Sequence, residues 1–90
     1  MQQILSTEDL GNGLIFMTTS QGAVYTANGR QFEVCGEYDS GEAWLNGAHY
    51  CYERDDGDVL LTDVRTGEVE HTFEDTEQGW DAFAREQLNK

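Results

Sequence analysis

The side chains of this chain that could do chemistry are few, and their spacing limits what they could build. His49 and Cys51 stand two residues apart. On a strand they share a face, which could supply a thiolate with an imidazole base, or two ligands of a zinc site. His71, the only other histidine, would have to reach them across a sheet. Spacing completes neither arrangement: no CxxC or HxxxH pair accompanies them, and nothing marks a third orienting group or an oxyanion hole. Surrounding carboxylates also raise a thiol pKa and suppress the thiolate. Asp55-Asp56-Gly57-Asp58 invites a calcium reading, yet an EF-hand loop counted from Glu53 puts Asp58 where the sixth-position glycine belongs. The run reads as a hairpin turn. Gly11-Asn12-Gly13 lacks the lysine and the strand-loop-helix setting of a phosphate loop. The expectation is a non-enzyme with no catalytic residue, metal ligand or cofactor.

Carboxylates dominate what remains. Eighteen acidic residues oppose five basic ones, for a formal net charge of −13. Such a field repels DNA, RNA and anionic membrane, so it points to a basic partner surface or to solubility. The segment from Glu53 to Asp81 concentrates it, with eleven carboxylates against Arg54 and Arg65, a net −9. The residues expected to meet a partner are Glu53, Asp55, Asp56, Asp58, Glu68, Glu70, Glu74, Asp75, Glu77 and Asp81. Charges on one strand face repeat about every 6.7 Å, the order of two phosphate steps of a nucleic-acid strand. Glu68 and Glu70, continued by Glu74, Asp75, Glu77 and Asp81, could thus imitate a short phosphate track. A solvated acidic face is the plainer alternative.

The elements that position these groups follow from turn chemistry and periodicity. Leu14 to Thr19 is an apolar run leaving the Gly11-Asn12-Gly13 turn, and Ser6-Thr7-Glu8-Asp9 before it could cap one helical turn. Ala23–Thr26 and Gln31–Cys35 flank Asn28-Gly29, a pair suited to a two-residue type I′ hairpin. Ala43–Leu45 and Ala48–Glu53 flank Asn46-Gly47 in the same way, an echo that hairpin chemistry explains without a duplication. Val59–Val64 and Glu68–Phe73 complete the strands, the last with Val69, His71 and Phe73 on one face. After Phe73 the period changes to about 3.6. Asp75-Thr76-Glu77-Gln78 has capping-box spacing with Asp75 as N-cap, and Trp80, Phe83, Ala84, Gln87 and Leu88 form one stripe. The predicted fold class is α+β: an antiparallel sheet of about five or six strands in hairpins with one C-terminal amphipathic helix, near Thr76 to Leu88.

Ninety residues make a single domain spanning 1–90, with an expected radius of gyration of about 12 Å. The first residues have neither a basic n-region nor a signal-length apolar run, and no stretch approaches the ~20 apolar residues of a membrane span. A cytoplasmic protein without membrane contact, monomeric or homodimeric, is expected. Cys35 and Cys51 then read as reduced sheet thiols.

Small size, acidity, absence of a targeting signal and absence of catalytic residues together resemble the inhibitors that phages and other mobile elements direct against host defence, especially anti-CRISPR and DNA-mimic anti-restriction proteins. The stretch Thr72-Phe73-Glu74-Asp75-Thr76-Glu77-Gln78, a strand running through a capped turn into a Trp/Phe-bearing helix, is similar to an element of some small α+β anti-CRISPR proteins. The resemblance covers under a fifth of the chain. It implies stoichiometric binding to the nucleic-acid channel or DNA-contacting lysines of a CRISPR effector, in the host cytoplasm, with no direct nucleic-acid contact. Two other readings stay open: a salt-adapted acidic domain of general protein-interaction role, and a small enzyme or metal-binding protein.

Overall fold

The computed structural model describes residues 3–36 and 39–89. Eight strands run in chain order through one antiparallel sheet: β1 (Ile4–Gly11), β2 (Leu14–Thr19), β3 (Gly22–Ala27), β4 (Arg30–Gly36), β5 (Ser40–Leu45), β6 (Ala48–Asp55), β7 (Asp58–Asp63) and β8 (Val69–Glu74). A single helix among the described residues, α1 (Glu77–Leu88), follows. The α+β class and the C-terminal helix match the sequence reading, while the strand count is eight rather than five or six. The radius of gyration is 12.3 Å.

Turn chemistry explains why the chain folds back so often. The central residues of four two-residue turns all have positive φ, as at Asn28 (54°) and Gly29 (74°), and Asp56-Gly57 adopts the same form as the three Asn-Gly pairs. This is the type I′ geometry that matches strand twist, and it makes the Asp55-to-Asp58 run a hairpin turn. The expected helical turn at Ser6–Asp9 is instead strand, paired with β2 from Ile4↔Thr19 to Gly11↔Leu14. Its polar residues lose nothing by exposure, because β1 is an edge strand exposed along nearly its whole length.

Alternation divides each strand between two faces. Leu14, Tyr25, Phe32, Val34, Ala43, Leu45, Tyr50, Tyr52, Val59 and Leu61 point inward and pack with Phe83, Ala84 and Leu88 of α1. Trp80 and Phe73, both partly buried, join this cluster. Phe32 is its centre, stacked on Trp80 and edge-on to Phe83 at 5.4 Å. Two long-range ties fix the helix's far end: Arg85 donates to the Leu10 and Gly11 carbonyls, and Asn28 Nδ2 donates to the Leu88 carbonyl and to Asn89 Oδ1.

Two local expectations shift by one residue. The N-cap is Thr76, whose Oγ1 accepts from the Gly79 N–H at 3.0 Å. Asp75 is unavailable for that role because Arg54 and Trp80 hold its carboxylate. In β8, His71 and Phe73 face α1, but Val69 does not join them. A bulge makes Leu61 oppose His71 while its neighbour Thr62 opposes Val69, which turns Val69 outward to 52% exposure.

Candidate docking face and adjoining pocket

The outward face of β4 to β8 has no helix over it, and carboxylates stand at six of its positions. Register defines the rows. Asp55 pairs with Asp58 and Asp58 with Glu74, so three carboxylates face one another across three strands. The next row sets Glu53 between Ser40 and Leu60, and the one after sets Glu42 between Cys35 and Cys51. Glu33 follows, opposite Trp44, which in turn opposes His49. His49 stacks on Trp44 at 4.9 Å and places Nε2 3.3 Å from the Glu42 carboxylate. Among the described residues no lysine or arginine occupies an outward strand position here, and Arg30 lies only at the turn-side rim beside Glu33 and Trp44. Like charges directly opposed on a sheet destabilise it, so the Asp55–Asp58–Glu74 row works against folding.

The ten carboxylates singled out by sequence therefore separate. Glu53, Asp55, Asp58 and Glu74 share this face, with Asp56 at the adjoining turn tip. Glu68 lies at the other end of the sheet, where its carbonyl accepts from the Asp63 N–H. Glu70 sits in the bulge and accepts the hydroxyl of buried Tyr50 at 3.2 Å. Burial first, and then this bond, push the Tyr50 phenol pKa up. Glu77 and Asp81 belong to α1, on the other side of the sheet. The track along β8 into the helix is thus interrupted, and a patch across strands takes its place. Glu33 and Glu42 escaped the sequence reading because their sheet neighbours lie outside the Glu53–Asp81 segment. The alternation around buried Phe32, Val34 and Ala43 was the signal that could have found them.

Asp75 does structural work. Its carboxylate accepts from Trp80 Nε1 at 2.9 Å and from Arg54 Nε, with the other oxygen 3.0 Å from the same nitrogen. The indole bond, and after it Arg54, hold the Asp75 carboxyl below the usual carboxylate range. The Arg54 guanidinium lies 5.5 Å from the Trp80 ring centroid. Beside this network opens a pocket of about 340 Å³, walled by Phe16, Tyr25, Tyr52 and Trp80, with Arg54 and Glu77 also lining it. Its floor is backbone and small side chains, Gly22, Ala23, Val34 and Gly36. A Cβ on Gly22 would lie 1.9 Å from the Val34 carbonyl oxygen, so nothing larger fits there.

No family model, curated protein or solved structure matches this chain. Its chemistry is read from its own geometry alone. Cys35 and Cys51 are free, on opposite sides of Glu42 in one row. Two strand spacings, about 9–10 Å, exceed the reach of a disulfide. Burial, then Glu33 and Glu42, raise the Cys35 pKa and keep it a thiol. His49 and Cys51 face outward whereas His71 packs edge-on against Tyr50 and Phe83 within the inner face, so these three residues do not converge. Among the described residues no helix is long and apolar enough to cross a membrane.

Proposed function

We propose that this protein is a small acidic inhibitor that docks its uncovered sheet face onto a basic, nucleic-acid-binding surface of a host defence complex, with a CRISPR effector as the favoured target, and so blocks target nucleic acid. The observation that carries this reading is the outward face of β4 to β8, where Glu42, Glu53, Asp55, Asp58 and Glu74 stand with no lysine or arginine at an outward strand position among the described residues, and Glu33 adjoins the Arg30 rim. Solubility needs only dispersed charge. Three carboxylates in direct cross-strand opposition cost stability, and a basic partner offsets that cost when it docks. Adjacent strands set the charges of the Asp55–Asp58–Glu74 row about 4.8 Å apart, a cluster suited to lysine and arginine side chains that otherwise grip phosphates.

The test uses a purified effector–guide RNA complex and its target DNA. Protein and DNA are expected to exclude each other, with affinity falling as salt rises. Reversing Glu42, Glu53 and Glu74 to Lys should slow association by about tenfold or more, because steering charges act chiefly on the on-rate. Reversing Glu68 and Glu86, which are exposed but off this face, should change it less than about threefold. Equal effects of the two sets, or DNA that fails to compete, overturn the proposal.

A further inference from the structure

The aromatic pocket lies on the inner side of the sheet, away from the docking face, and its chemistry is independent of that reading. Four rings wall it, with Phe16 and Tyr25 4.7 Å apart and Tyr52 edge-on to Trp80 at 6.5 Å. The electron-rich faces of such rings attract cations once water is displaced. Charge around the pocket has the same preference. Arg54 is already matched by Asp75, bound through both carboxylate oxygens, which leaves Glu77 as the described carboxylate of the lining, with the negative charge of Asp81 close to Tyr25. An anionic ligand would meet these two carboxylates and a chain of net charge −13. The Arg54 guanidinium already lies over Trp80, so the rings left for a ligand's head group are Phe16, Tyr25 and Tyr52, with Trp80 as a wall. One of its walls is fixed, since Trp80 is pinned through Nε1 to Asp75.

We infer that this pocket is a binding site for a small organic cation with an alkylammonium head group, held by Phe16, Tyr25 and Tyr52 beside Trp80 and balanced by Glu77. Its volume, about 340 Å³, admits a group the size of trimethylammonium with a short tail. The contact is noncovalent, and no bond is made or broken.

Choline and its neutral isostere 3,3-dimethylbutan-1-ol are the probes, titrated into the full chain while the two tryptophan indole N–H signals are followed by NMR. Trp80 lines the pocket, and Trp44 lies on the opposite face between Glu33 and His49, where it reports diffuse attraction to the acidic surface. Choline is expected to shift the Trp80 signal saturably, with half-saturation below about 10 mM, leave Trp44 nearly unmoved, and bind at least about tenfold tighter than the isostere. Glu77→Gln, at an exposed helix position, should weaken choline severalfold with the spectrum of the fold intact. Ala23→Leu, which fills the pocket, should abolish binding. Glu77→Gln serves alone if that variant does not fold. Trp44 moving in step with Trp80, equal affinity for the isostere, or no saturable shift at about 50 mM choline overturns the inference.

Discussion

Phe32 and Glu33 are neighbours in β4, yet one sheet gives them opposite tasks. Phe32 is wholly buried, with Tyr25, Trp80 and Phe83 around its ring. Glu33 points the other way, into a face where every described charge on the β4–β8 strand positions is negative. The inner face gains apolar contacts from α1, while the outer face receives no helix: Val24 is buried there beside Glu33, and its far end carries the repulsion of Asp55, Asp58 and Glu74. Most of the apolar core therefore lies on one side of a single layer. Selection on the other side can change charge with little effect on whether the chain folds.

The largest expected effect tests the inner side. Phe32→Ala should lose about 3–5 kcal/mol, most of the stability of a small domain, in a denaturant titration. An outward Glu33→Gln variant should stay within about 0.5 kcal/mol of the parent. Similar losses for both would break the division between faces.

Asp75→Asn comes next, because it removes the charged partner of half-buried Arg54, for about 1–3 kcal/mol at neutral pH. Its pH dependence follows from sign. Asp75 has a folded-state pKa below its unfolded value, so it stabilises above the unfolded pKa and loses that contribution as pH falls through the folded one. The variant should approach the parent's stability as pH drops below about 4, seen as a shallower acid limb. Parallel curves at every pH would assign Asp75 a packing role only.

A smaller effect tests the helix start: Thr76→Ala should cost about 1 kcal/mol through loss of the cap to Gly79. On the outer side the sign should reverse. Glu74→Lys places a cation opposite Asp58 and should raise stability by about 0.2–1 kcal/mol, most at low salt, while weakening docking. Smallest of all, Cys35→Ala with Cys51→Ala should leave stability within about 0.5 kcal/mol and docking unchanged.

What was legible in the sequence was what short-range chemistry decides. Asn28-Gly29 and Asn46-Gly47 adopt positive φ for local steric reasons, so the hairpins they join were readable. Trp80, Phe83, Ala84 and Leu88 recur at helical spacing, and the helix packs on that stripe. Strand β1 was not readable, because an edge strand that buries almost nothing has no apolar alternation to show. The cap moved from Asp75 to Thr76 because Arg54, twenty-one residues upstream, claims the Asp75 carboxylate. Val69 turned outward because of a bulge that only pairing with β7 creates. The docking face was half legible: a one-dimensional charge count found Glu53, Asp55, Asp58 and Glu74, while alternation alone puts Glu33 and Glu42 opposite buried neighbours and register is needed to bring them beside the rest.

Every strand pairs with its sequence neighbour, so the whole sheet can zip by local steps, a low-contact-order route that favours rapid folding. The helix that covers the inner face is the exception. It closes on β3 and β4 and ties its end to Leu10, Gly11 and Asn28, all more than fifty residues earlier. Seven hairpin connections can form before residues 77–88 dock, with Phe32, Leu61 and Val59 still wet. The uncovered sheet is then a sticky intermediate, and its safe lifetime is set by how soon the twelve residues of the helix dock on it.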